Sequence, residues 1–287
     1  GVSASATRVH GMDVTEALHL LALGLYAVSA ALLGVSLARS ARRLPAAATG
    51  CLALAVAAHA ASLGSFRAEH GEWPLVGLGP SLSVLALLVA FGSLMLATLG
   101  RTGPLGLVLV PVAAALAAVA EVAGVRPTPL AQELVFRGPW FVLHVVLAMI
   151  GYAGLTVAFA AGLMYLLQFR QLKGKRFGAV FRFFPPLDTL DRIGRRALLV
   201  GLPFLTVALL LGWAWSERFG PSMGAGNPKV VWGVITWLVF VAALAARGGR
   251  GAPGARRGAL ASVVGFALVV AAYVLLRSAE HRGAGFL

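Results

Sequence analysis

The sequence is poor in charged residues and almost without cysteine. Only 12% of its 287 residues are charged, 59% are hydrophobic, and Cys51 is the single cysteine. A soluble domain of this length needs more polar surface, so this composition excludes an ordinary soluble protein. The lone cysteine excludes a disulfide framework, and no CxxC or clustered Cys/His pattern indicates a zinc site. Most of the molecular surface is therefore expected to face lipid.

Long apolar runs take the place of polar surface. A membrane-crossing helix needs roughly 20 mostly apolar residues. Residues 1–12 lack the pattern of a signal peptide, so the first run is expected to be a retained helix. We predict an all-α, polytopic integral membrane protein, a single membrane domain over residues 1–287, with about eight transmembrane helices at residues 14–38, 45–66, 75–99, 104–123, 138–169, 197–215, 230–246 and 258–276.

The basic residues are distributed unevenly between the two sides of these helices. The formal charge is +14, but the basic residues lie between apolar runs, which excludes a nucleic-acid-binding face. The connections after the first, third, fifth and seventh helices carry 16 of the 24 basic residues, with only Asp188 and Asp191 as acids. Basic loops stay in the cytoplasm. We therefore predict an N-out/C-out protein of the bacterial inner (plasma) membrane, with residues 170–196 as a basic cytoplasmic loop that attracts anionic lipid headgroups.

In this topology the histidines gather on the outer half, toward the periplasm or exterior. A one-sided set of imidazoles is what a metal or haem site requires. For His59, within a span, an iron ligand and a structural hydrogen bond are equally open. His19 is expected to be interfacial, and His144, one turn after Trp140, is either a ligand or an aromatic-belt anchor. The remaining histidines lie in predicted loops or the tail: His10, His70 and His281.

Five segments in order resemble the cytochrome c assembly family, which includes the CcsA/ResC haem-handling proteins and their HemX-like and YpjD-like relatives. The resemblance covers most of the chain and is strongest from about residue 52 onward. The segments are ALAVAAHAASLGSF, FVLHVVLAMIGYAGLTVAFAAGLMYLLQ, PPLDTLDRIGRRALLVGLPFLTVALLLGWAW, NPKVVWGVITWLVF and GFALVVAAYVLLRSAEHRGAGF. The last four cover the family's GYA helix, its LD-x-LD loop with the following helix, its PK-x-x-W segment and its final helix.

The resemblance implies a site for haem b, either as cargo or as a bound group. It places the axial iron ligands on His144 and His281 at the outer face, and a second haem position within the membrane on His59. The family's Trp-rich outer loop corresponds to residues 216–229, and the porphyrin contacts that it implies fall on Trp215, Phe219 and Trp232. The implied partners are a CcsB/ResB-like membrane protein and apocytochrome c, to which haem is delivered.

Two other functions remain open at this point. The outer loop, WSERFGPSMGAGNPKVVW, has lost aromatic residues of the haem-handling branch, and Asn227 replaces an aspartate. This departure favours a HemX-like regulator or scaffold that recruits a tetrapyrrole-synthesis enzyme through the cytoplasmic loop. A transporter or a membrane subunit of a respiratory complex is a further alternative, although no internal hydropathy repeat supports it. Membership of a cytochrome c synthase or haem lyase is left open, because no catalytic acid or base set is visible.

Overall fold

Helices make up all the regular secondary structure in the described part of the chain. The computed structural model describes residues 13–39, 44–100, 102–127, 138–175, 178–219, 228–248 and 251–281. A 3₁₀ turn, Gly103–Leu105, leads into the fourth helix. The α-helices are α1 Val14–Arg39, α2 Leu44–His70, α3 Leu78–Thr98, α4 Gly106–Ala123, α5 Pro139–Lys173, α6 Ala179–Phe183, α7 Leu187–Phe219, α8 Pro228–Ala246 and α9 Ala252–His281.

Seven of the described helical segments are long and apolar enough to cross a membrane. They lie in α1, α2, α3, the 3₁₀ turn with α4, α5, α7 and α9. The apolar stretch Val230–Ala246 in α8 is shorter than these seven. The prediction of an all-α, polytopic membrane protein is confirmed.

The helices extend further than the apolar runs do. Helix α7 begins at Leu187, so residues 187–196 of the predicted basic loop form its first turns instead. Leu190 is buried within these turns and Leu198 just after them, while Arg192 stays exposed. Hydropathy detects only the membrane-embedded length of such a helix, whereas tertiary packing stabilises its amphipathic start. Similarly, α2 continues to His70, which we had expected in a loop.

The helices pack as two groups that share α5. Helices α1 to α4 contact one another, and α5, α7, α8 and α9 form the second group. One face of α5 joins the core of the first group through Met164, which is buried in the same cluster as Tyr26 and Leu109. Another face joins the second core through Leu155, together with Phe240 of α8. Helix α5 therefore fixes the position of each group relative to the other.

Small residues bring the backbone of α5 close to its neighbours in the second group. A Cβ atom at Gly154 would lie 3.0 Å from the carbonyl oxygen of Ala197 on α7. At Gly162 it would lie 2.8 Å from the carbonyl oxygen of Ala259 on α9. Ala158, between the two glycines, is fully buried. The ridge of small residues on α5 thus serves close packing against two helices, the usual means of helix association in lipid.

A buried arginine joins the arginine-rich ends of α7, α8 and α9. Arg247, just after α8, pairs with the carboxylate of Asp191 on α7, and its Nη2 donates to Ser262 Oγ on α9 at 3.3 Å. A Cβ at Gly258 would lie 2.0 Å from Arg247 Cγ, so the arginine side chain can pass α9 here only because residue 258 is a glycine. The arginine side chain is only 5% exposed. Removing it would leave Asp191 without its partner.

We expect Arg247→Ala to lower the free energy of unfolding by about 1–3 kcal/mol, because it removes a buried donor and leaves a half-buried carboxylate unpaired. The measurement is thermal unfolding in detergent. Arg192→Ala is the matched control, since Arg192 pairs with Asp188 with both side chains more than half exposed. Exposed pairs contribute roughly 0–1 kcal/mol. Equal losses in the two variants would contradict the importance of the buried pair.

Candidate functional site

The histidines fall into two places in the fold. His19 and His59 lie inside the α1–α4 group, and His70 is the last residue of α2. His144 lies on the second turn of α5, and His281 is the last residue of α9, where the backbone but not the side chain is described. The predicted loop histidine His10 lies outside the described residues. The structure thus separates one buried pair from a second pair carried by α5 and α9.

The ring of His144 is held against the backbone of α7. Its Nδ1 lies 2.7 Å from the carbonyl oxygen of Ala208. A carbonyl only accepts, so Nδ1 carries the hydrogen and the neutral ring keeps its lone pair on Nε2. Such a hydrogen bond on the far nitrogen is the usual partner arrangement of a metal-binding histidine. His144 therefore has the tautomer that an iron ligand needs.

Gly212 provides the space in which this ring lies. A Cβ atom there would stand 2.7 Å from Cε1 of His144 and 3.1 Å from its Nδ1. Any other residue would push the imidazole away from the Ala208 carbonyl. The sequence alone does not predict this role of Gly212, because it depends on which helix packs beside the start of α5.

An aromatic layer joins α5, α8 and α9 deeper in the membrane. The indole of Trp232 donates from Nε1 to the carbonyl oxygen of Val269 on α9 at 3.1 Å. Its ring lies 4.7 Å from that of Tyr152 on α5 and 5.6 Å from that of Tyr273 on α9, measured between centroids. We call these three aromatic residues the Trp232 layer.

The Trp232 layer shows that His144 and His281 stand at the same depth. His144 precedes Tyr152 by eight residues on α5, and His281 follows Tyr273 by eight residues on the antiparallel α9. At 1.5 Å per residue, both lie about 12 Å outward from the layer. The register holds in the other direction as well, because Phe159 and Phe266, each seven residues away, stack at 4.3 Å. The two histidines are thus at one level of the second helix group.

His19 and His59 belong to a linear chain of hydrogen bonds that runs across four helices. His19 Nε2 lies 3.1 Å from the carbonyl oxygen of Ala117, and His19 Nδ1 lies 3.3 Å from Ser83 Oγ. Ser83 Oγ is 2.8 Å from His59 Nε2, and Tyr26 Oη is 3.0 Å from His59 Nδ1. Helices α1, α2, α3 and α4 each contribute one or more of these groups.

For a neutral His19, the carbonyl at one end of this chain sets every proton in it. The carbonyl must accept, so His19 donates from Nε2 and accepts from the Ser83 hydroxyl at Nδ1. The Ser83 oxygen then accepts from His59 Nε2, and His59 Nδ1 accepts from the Tyr26 hydroxyl. Both rings are neutral in this arrangement, and neither has an unpaired nitrogen. As packed, His59 fits a structural hydrogen-bond role, and an iron atom there would have to displace Tyr26 or Ser83.

His19 differs from the expectation of an interfacial residue. It is almost fully buried, and Glu121 of α4, a quarter exposed, lies 3.7 Å from its Nε2. Its burial follows from the packing of α1 against α4, which a pattern within α1 alone does not reveal. Tyr26 and Ser83, which complete the chain with His59, were likewise missed.

The remaining predicted site residues differ in how far the structure describes them. Trp232 is half-buried within the second group, where its indole nitrogen bonds to α9. Trp215 and Phe219 lie on the last turns of α7, but their side chains are outside the described part, as are residues 220–227. Among the described residues, no group of three or more His, Cys, Asp or Glu side chains is placed to hold a metal ion.

Comparison with known proteins identifies the family. The family described as "Cytochrome C assembly protein" matches residues 16–281. The cytochrome c biogenesis protein CcsA of Synechococcus elongatus is 30% identical over 274 residues, covering 80% of this chain and 84% of that protein. CcsA of Rippkaea orientalis is 28% identical over 314 residues, covering 89% and 90%. The matched region includes His59, His144 and His281. Because the family match spans most of the chain, the chain belongs to the cytochrome c assembly protein family.

Proposed function

We propose that this protein handles haem in cytochrome c biogenesis and binds it through His144 and His281. The observation that carries the proposal is the equal depth of the two histidines, eight residues outward from the Trp232 layer on antiparallel helices. Axial ligands must approach the iron from opposite faces of a porphyrin, which requires two imidazoles at one level. The names of the CcsA relatives support the same pathway.

The chemistry of His144 suits this role. Its Nδ1 bonds to the Ala208 carbonyl, so Nε2 offers a lone pair to iron and the ring cannot rotate freely. Two imidazoles saturate the iron and limit oxygen chemistry during transfer. We assign haem b as the cargo, as the family resemblance implies. In this proposal the protein's part is to bind the haem and present it to the acceptor.

We place the site on the outer face of a bacterial inner membrane, with apocytochrome c as the acceptor and a CcsB/ResB-like membrane protein as the partner. The excess of basic residues on the opposite side supports this orientation. The ends of α5 and α9 that carry the two histidines would then face the compartment in which cytochromes c mature.

We expect purified wild-type protein to carry low-spin haem with sharp reduced bands, and the double variant His144→Ala, His281→Ala to lose them. Absorption spectra of the oxidised and dithionite-reduced protein in detergent measure this. His70→Ala is the control, because its Nδ1 also lies near a carbonyl oxygen, that of Phe66 at 3.1 Å, but in the other helix group. A wild type that stays colourless after haem addition would refute haem binding by this chain alone.

Gly212→Ala should lower haem content and raise the high-spin fraction, because the new methyl group would lie 2.7 Å from Cε1 of His144. The helix itself should tolerate the alanine, which is the better helix former. Gly64→Ala is the matched control, since a Cβ there meets nothing within 4 Å. Haem content and spin state by absorption, with thermal unfolding alongside, separate the two variants. Identical spectra for both would show that the position of the His144 ring is unimportant.

His59→Gln tests the second haem position that the family resemblance implies. The amide can replace both hydrogen bonds but is a poor iron ligand, so we expect haem per protein to stay at the wild-type value. Tyr26→Phe should instead lower stability by roughly 0.5–2 kcal/mol, because one buried hydrogen bond is lost. Haem quantification and thermal unfolding report the two effects. Loss of one haem equivalent in His59→Gln would place haem at His59.

A further inference from the structure

Trp232 contacts both helices that carry the paired histidines. Its Nε1 hydrogen bond to the Val269 carbonyl fixes α8 to one turn of α9, and its ring packs on Tyr152 of α5. A hydrogen bond from an indole is directional, so a slide of α9 by one residue, about 1.5 Å, would break it. The Trp232 layer therefore sets the depth of α9 relative to α5.

On the outer half of α9, the Trp232 layer joins this helix to α8 and α5. Nearer the arginine-rich side, α9 meets its neighbours at Ala259, Ser262 and Phe266. Outward from Tyr273, the helix runs eight further residues to His281. Because α9 is one continuous helix from the layer to His281, we expect a change of depth or tilt at the layer to move the end of the helix.

Trp237, on the same helix, makes a similar bond to a different neighbour. Its Nε1 donates to Thr206 Oγ1 on α7 at 2.9 Å. Both tryptophans thus tie α8 to another helix through the indole nitrogen, but only the bond of Trp232 reaches α9. The pair allows the effect on α9 to be separated from the general cost of losing an indole hydrogen bond.

We propose that Trp232, supported by Tyr152 and Tyr273, is a positioning residue that sets the spacing of His144 and His281. This inference rests on the proposed function. It gives Trp232 a role different from the porphyrin contact expected from its place in the family pattern. The Trp232 layer lies eight residues inward from each of the two histidines. Its indole nitrogen already donates a hydrogen bond to the Val269 carbonyl.

The test compares Trp232→Phe with Trp237→Phe. Both variants keep an aromatic ring and lose one hydrogen bond. Trp232→Phe should weaken haem binding by roughly fivefold to tenfold, the equivalent of one hydrogen bond, and should produce a mixed-spin spectrum and a shifted reduction potential. Trp237→Phe should keep the wild-type spectrum and potential with a similar loss of thermal stability. Equal spectra and potentials in the two variants would overturn the proposal.

A second readout needs no haem. In a Cys51→Ser background, spin labels at Val146 on α5 and Leu275 on α9, both exposed, report the distance between the outer ends of the two helices. Trp232→Phe should broaden or shift this distance, and Trp237→Phe should not. If Trp232→Phe fails to fold, Tyr273→Leu removes another ring of the layer and should give the same change. An unchanged distance in the folded variant would overturn the proposal.

The outcomes for the two proposals are distinguishable. A haem-free wild type in which Trp232→Phe still moves the labels contradicts the haem function and leaves the Trp232 layer as the device that positions α9. A wild type whose haem depends on His144 and His281 but is unaffected by Trp232→Phe supports the function and contradicts the positioning role.

Discussion

The architecture depends on how closely α5 approaches its neighbours. In lipid the apolar surface of a helix gains little by meeting another helix, so van der Waals contact between backbones and a few polar bonds must hold the bundle. Helix α5 meets this requirement with Gly154 against α7 and Gly162 against α9. Because both contacts lie on one helix, the register of α7 and that of α9 are fixed against a common reference. Nearer the histidines, the Trp232 layer adds a second contact of α9 with α8 and α5, on which the level of His281 relative to His144 depends.

Several polar groups inside the bundle strengthen contacts between helices. An unsatisfied hydrogen-bonding group in hydrocarbon costs several kcal/mol, so a buried polar side chain needs a partner on a neighbouring helix. The chain from Ala117 through Ser83 to Tyr26 does this for α1–α4, and Arg247 does it for α7, α8 and α9. Nearer the histidine-bearing ends of α5 and α9, the hydrogen bond from Trp232 to the Val269 carbonyl joins α8 to α9 in the same way. These three sets of interhelical hydrogen bonds favour one arrangement of the helices in a mostly aliphatic molecule.

The sequence predicts the parts of this structure that depend on one helix at a time. From apolar length alone, the sequence predicts the spans. It does not predict that α7 begins at Leu187, because those turns are stabilised by contacts made across the bundle. It also misplaces His19 and overlooks Gly212, since both depend on which helices are neighbours. Equal depth of His144 and His281 becomes visible only once Tyr152 and Tyr273 are known to meet at Trp232.

The difference between His59 and His144 shows why position within a span does not by itself identify an iron ligand. Both rings are embedded in helices, and both accept or donate hydrogen bonds. In His59 the lone pair is taken by the Tyr26 hydroxyl and the N–H by Ser83. In His144 the N–H is taken by the Ala208 carbonyl, which leaves the lone pair on Nε2. A single carbonyl partner fixes the tautomer and leaves the other ring nitrogen free to coordinate a metal. When both ring nitrogens have hydrogen-bond partners, as in His59, no nitrogen is left for the metal. This distinction supports our proposal that His144 is a haem ligand, and it favours a structural role for His59.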